Sequence, residues 1–90
     1  MKIEDYRKEI DSLDKEIVES LEKRMNLAEA IGRLKKEKAL EILDSSREEE
    51  VLEGIKQKAS PELAKHILKI YGTILEESKA RQQIIQDEMK

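Results

Sequence analysis

The chain has no Cys, no Phe and no Trp, and among its 90 residues there are only one His, one Pro and three Gly. Without Cys there are no disulfides and no thiolate metal sites, which fits a reducing compartment. A single His rules out two-histidine metal spacing, and no metal is expected. Two Tyr are the only aromatic residues, so the stacking platforms that hold single-stranded nucleic acid are missing. No apolar run approaches membrane-spanning length, and the start MKIEDYRKEI lacks the apolar core of a signal peptide. The expected location is cytoplasmic, with no membrane partner. Nor is there an excess of one charge. Eighteen basic residues against 21 acidic ones leave a net charge of −3, and the two signs are interspersed rather than blocked, which argues against a nucleic-acid partner.

What the sequence does have is helical periodicity. Ile3, Tyr6, Ile10, Leu13, Ile17, Leu21, Ala28 and Ile31 follow steps of three, four or seven, which predicts a first helix over about residues 3–40. The segment Glu41-Ile42-Leu43-Asp44-Ser45-Ser46 is the first break, because Asp and Ser compete with the helical backbone and cap the next helix. Ser45 with Glu48, or Ser46 with Glu49, reads as a capping box for a second helix over about 46–58, with Val51, Leu52 and Ile55 inward. Ser60-Pro61-Glu62 repeats the start signal: a cap, Pro at the first helical position and an acid in the first turn. A third helix over about 61–89 would carry Leu63, Ile67, Ile70, Tyr71, Ile74, Ile85 and Met89 on one face. The expectation is one all-α domain over residues 1–90, with no strand pattern and no internal repeat. Helix 1 would be roughly 55 Å long, whereas a compact monomer of this size is only about 25 to 30 Å across. Two shorter helices cannot cover such a stripe, so the predicted architecture is an intertwined homodimer in which each chain shelters the other's apolar face.

Polar residues interrupt these stripes. On a helical wheel with Ile17 as the origin, Leu21 falls at about +40°, Ala28 at about +20° and Ile31 at about −40°. On the same wheel Arg24 falls at about −20°, and Lys35 returns to the direction of Ile17 itself. An unpaired charge buried there costs several kcal/mol, so each cation needs a counter-charge or water. In helix 3, Ser78 and then Gln82 continue the line of Ile74. In helix 2, Glu48 lies among the directions of Val51, Leu52 and Ile55, with Arg47 at that face's margin. Arg7 flanks the stripe near the start of helix 1. Two readings are open: seam polars that fix register, as in coiled coils, or a shared cavity. A cavity with several cations, one acid and neutral hydrogen-bonders would hold a small dianion that also carries a hydroxyl, and the planar Arg fork suits carboxylates. No nucleophile is apparent. Ser78 has no evident base beside it, and His66 projects about 100° away from Ile67 and is expected at the surface. Such a pocket can still catalyse, by holding a reactive conformation and placing donors where charge develops, which points to a unimolecular rearrangement or to binding alone.

Over essentially its whole length, from YRKEIDSLDKEIVESLEKR through GRLKK and LDSSREEE to ILEESKARQ, the sequence resembles the all-helical class of chorismate mutases. The resemblance rests on Arg7 in YRKEID, Arg24 in EKR, Lys35 in GRLK, Asp44-x-x-Arg47-Glu48 and Ser78-x-x-x-Gln82, all in order and at positions the wheel independently marks as odd. The connection between helices 1 and 2 lacks the Pro that many relatives carry. The resemblance implies an isomerase of the shikimate pathway that converts chorismate to prephenate by a pericyclic rearrangement, without a cofactor, in aromatic amino acid biosynthesis. It also implies a role for each residue. Arg24, and Arg7 from the partner subunit, would bind the substrate carboxylates, with Arg47 in support and Ser78 lining that side. Lys35 and Gln82 would hydrogen-bond the ether oxygen, and Glu48 would hold the ring hydroxyl, helped by the backbone near Asp44. The rival readings are an isochorismate pyruvate lyase of the same fold, which resembles this pattern less at Glu48 and Ser78, and a non-enzymatic helical dimerisation module.

Overall fold

A computed structural model of the chain describes residues 1–89 and contains, among them, three helices and no strand: α1 (Ile3–Glu37), α2 (Ser45–Lys58) and α3 (Pro61–Glu88). At the start of α1 the Asp5 carboxylate accepts the backbone N–H of Lys2 at 2.9 Å, and Glu4 and Asp5 complement the positive end of the helix dipole. For nearly three dozen residues nothing then interrupts the backbone hydrogen bonds. The helix ends three residues before the expected Leu40. Ala39 takes φ 54°, the Leu40 N–H donates to the Lys35 carbonyl at 2.7 Å, and the Ala39 N–H donates to the Lys36 carbonyl at 3.2 Å. This is the paired closing pattern usually built on Gly, here imposed on an L-residue at a cost of about 1 kcal/mol.

The cap of α2 is Asp44, whose carboxylate accepts the Arg47 N–H at 3.1 Å. Ser45 and Ser46, the expected caps, lie inside the first turn instead. Asp caps as well as Ser does and comes one position earlier, so the helix starts at the first competent residue. At α3, Pro61 takes the first helical position and the Ser60 carbonyl accepts Leu63 and Ala64 N–H groups at 3.0 and 2.9 Å, while the Ser60 side chain makes no cap bond. The far end of α3 is closed from α1: the Lys36 ammonium donates to the carbonyls of Gln86 and Met89 at 2.7 and 2.9 Å. No described helix is long and apolar enough to cross a membrane.

Helices α1 and α2 each pack on α3, and among the described residues they do not pack on one another, so a space stands between them. Only the second half of α1 is covered; residues 1–20 are all exposed, including Ile10 at 54% and Ile17 at 53%. The radius of gyration is 16.3 Å with a longest dimension of 55 Å, against about 12 Å for a compact domain of this length. The expected inner faces are met unevenly: Val51, Leu52, Ile55, Ile67, Tyr71 and Ile74 are half-buried and Ile85 is buried, but Leu63 and Ile70 are exposed. They lie on the flank of α3 that neither α1 nor α2 reaches.

The tightest packing joins small residues. Ala28 and Gly32 of α1 and Ser78, Gln82 and Ile85 of α3 are buried. A Cβ on Gly32 would stand 2.9 Å from the Gln82 Cα and 3.0 Å from its Cβ. The same crossing carries a hydrogen bond from Gln86 Nε2 to the Gly32 carbonyl at 2.8 Å and the Arg81–Glu29 ion pair. In Gly32→Ala the gain in helix propensity, about 1 kcal/mol, is opposed by an overpacking cost of about 1–3 kcal/mol that backbone must absorb. The expected result is a lower melting temperature together with loss of whatever Gln82 does. Gly54→Ala is the control, since an added Cβ there meets nothing within 4 Å; it should raise the melting temperature, and thermal denaturation checks both.

Candidate active site

The space between α1 and α2, floored by α3, is an open cleft of about 330 Å³, within the size range of small-molecule sites. Arg24 and Lys35 reach it from α1, Asp44 from the connection, Arg47 and Glu48 from the first turn of α2, and Ser78 and Gln82 from α3. Leu27, Ala28, Ile31, Ile42, Val51 and Leu75 supply apolar walls. Seven of the eight residues singled out in the sequence therefore converge. The exception is Arg7, exposed and paired with Glu4 at 3.5 Å. It stands about 25 Å from Arg24 along α1 and cannot reach this cleft within its own chain.

Most of these polar side chains have identifiable partners, and Gln82 is the exception. The Lys35 ammonium donates to the Ile42 carbonyl at 2.6 Å, so the turn that ends α1 also anchors this cation. The Arg24 guanidinium lies over the Tyr71 ring, 5.7 Å from its centroid, a cation–π contact. Arg47 uses its backbone N–H on Asp44 and its guanidinium on Glu50. The Ser78 hydroxyl donates to the Ile74 carbonyl at 2.9 Å, which leaves its oxygen able to accept and gives it no activating base. Gln82 is 7% exposed and its buried Oε1 has no partner. A half-turn of that amide presents an N–H at the same place, so the group can accept or donate to whatever fills the cleft.

One charged residue of the cleft is not marked by the sequence pattern. Lys79, on the rim beside Ser78, ion-pairs with Glu48 of α2 at 3.2 Å and with Glu76 of its own helix at 3.0 Å. The hydrogen bond it donates to Glu76, then the one to Glu48, hold its ammonium above the usual lysine range, so it stays cationic through neutral pH. The Glu76 spacing of three residues is readable in the sequence; the partner across the helix interface is not. His66 is exposed, as expected.

The charge balance is uneven. Four cations, Arg24, Lys35, Arg47 and Lys79, face two carboxylates, Asp44 and Glu48. Arg47 and Lys79 have carboxylate partners, but neither Arg24 nor Lys35 pairs with one among the described residues. Such an excess of positive charge in a cleft is suited to a small anion.

Among the described residues the fold is all-helical, with a cation-rich cleft walled by three helices and no activated nucleophile in it. The sequence matches chorismate mutase type II over residues 6–83, and the chain belongs to that family. No curated protein and no solved structure matches it.

Proposed function

We propose that the chain, as a single domain over residues 1–90, is a cytoplasmic chorismate mutase that converts chorismate to prephenate as an intertwined homodimer, in aromatic amino acid biosynthesis. The observation that carries this reading is the pair of cations without carboxylate partners, Arg24 and Lys35, on the same cleft as the unpartnered amide of Gln82. In the rearrangement the ether C–O bond breaks as a new C–C bond forms, and no group is transferred to the protein. The protein's tasks are to hold the two ends of the substrate together and to stabilise the charge that grows on the ether oxygen. Arg24 binds a substrate carboxylate, with Ser78 beside it and Arg47 at the rim. Lys35, fixed by the Ile42 carbonyl, and Gln82, fixed at the Gly32 crossing, donate to the ether oxygen. Glu48 accepts the ring hydroxyl at the start of α2, where Asp44 orders the backbone.

The second carboxylate is left for Arg7 of a partner chain. The exposed stripe formed by Ile3, Tyr6, Ile10, Leu13 and Ile17 supports that assembly, because a free-standing chain rarely leaves so long an apolar face to water. The test is to mix purified protein with chorismate, follow loss of its ultraviolet band and identify the product. Enzyme-dependent prephenate is the expected result. Release of pyruvate from isochorismate without prephenate from chorismate would establish the lyase instead, and turnover of neither would leave a helical dimerisation module.

A further inference from the structure

Among the described residues, the ion pair between Lys79 and Glu48 is the salt bridge that ties a cleft carboxylate of α2 to α3, and its geometry is selective. Glu48 offers Oε2 to the Lys79 ammonium at 3.2 Å, while no protein donor to its Oε1 is found among the described residues. Both side chains are about one-quarter exposed, at 25% and 26%, so the pair is screened less than one on open surface. Glu76, three residues earlier on α3, pairs with the same ammonium at 3.0 Å. A glutamate has three side-chain torsions, and one on the first turn of a short helix would otherwise sample many orientations. Ser78 and Gln82, the residues on either side of Lys79 in the chain's lining of the cleft, are buried, so Lys79 connects Glu48 to the most tightly packed wall.

We propose that Lys79 is a positioning residue, which pins one oxygen of Glu48 and leaves the other directed to the hydroxyl of the substrate. The inference rests on the reading of the cleft as a chorismate site and adds to it a determinant of hydroxyl recognition. Lys79 acts through its reach across the α2–α3 interface, which sets where that acceptor stands. It differs from Lys35, which meets the reacting oxygen itself.

The test compares Lys79→Met, Lys79→Gln, Lys79→Arg, Glu48→Gln and the double variant Lys79→Met/Glu48→Gln, each on chorismate and on an analogue lacking the ring hydroxyl. The expected result on chorismate is a fall in kcat/KM of about tenfold to a hundredfold for Lys79→Met and Lys79→Gln, the range that outer partners of a fixed ligand carry. Lys79→Arg should recover most of it, and the double variant should be no worse than Glu48→Gln alone. On the analogue the Lys79 variants should match the parent to within a few-fold. Equal losses on both substrates, or additive losses in the double variant, would overturn the proposal while leaving the enzyme's identity intact. A parent protein that converts neither substrate would overturn the functional reading and the role of Lys79 with it.

Discussion

Lys35→Ala is expected to lower turnover of chorismate by two to three orders of magnitude with the helices intact. The size follows from the role: a donor aimed at an oxygen that gains charge only as the bond breaks is worth about 2.7–4 kcal/mol of barrier. The folding cost is small by comparison. Among the described residues Lys35 has one partner, the Ile42 carbonyl, and none of their carboxylates is left unpaired when it goes; a single hydrogen bond is worth about 1 kcal/mol net. Removing a half-buried cation from a cleft already in positive excess even relieves some repulsion. Steady-state kinetics and circular dichroism on the same preparation separate the two effects. Near-normal turnover would remove Lys35 from the chemistry.

Arg7→Ala is expected to cost a comparable loss, although Arg7 is exposed and distant from the cleft of its own chain. Its only partner among the described residues is the exposed Glu4, three residues away on the same helix, and such surface pairs contribute little to stability. If Arg7 acted only within its own chain, the substitution would be nearly silent. In an intertwined dimer it is a carboxylate clamp in the other chain's site, and its loss weakens substrate binding and the folded reactive shape together. Arg7→Lys should retain only part of the activity, because an ammonium is a point charge and not a two-point fork.

Much of this is legible in the sequence, for definable reasons. The three helices follow from sustained apolar spacing and from the few breakers, with Pro61 marking the start of α3 to the residue. Arg24, Lys35, Glu48, Ser78 and Gln82 are conspicuous because each breaks an apolar stripe, and all five line the cleft. What the pattern does not show depends on backbone detail or on packing between elements. The end of α1 turns on Ala39 adopting a conformation that favours Gly, which no propensity for Ala announces. Asp44 displaces Ser45 and Ser46 as the cap because three adjacent residues can all cap and only the backbone chooses among them. Leu63 and Ile70 have the right spacing for an inner face, yet they are exposed, because which flank of α3 is covered depends on where α1 and α2 pack and not on spacing along α3. Lys79 looks like an ordinary surface lysine until α2 is packed beside it.

The most direct measurement mixes chains that carry Arg7→Ala with chains that carry Arg24→Ala, lets the dimers exchange, and assays prephenate formation. Each variant alone has a damaged clamp in both sites and should be nearly inactive. In a mixed dimer one site combines Arg24 of the first chain with Arg7 of the second and is intact, while the other lacks both. Equal mixing places half of the dimers in this state, so about a quarter of the parent activity should return. That recovery is the predicted result. A mixture no more active than its components, or an Arg7→Ala protein as active as the parent, would contradict a site built from two chains.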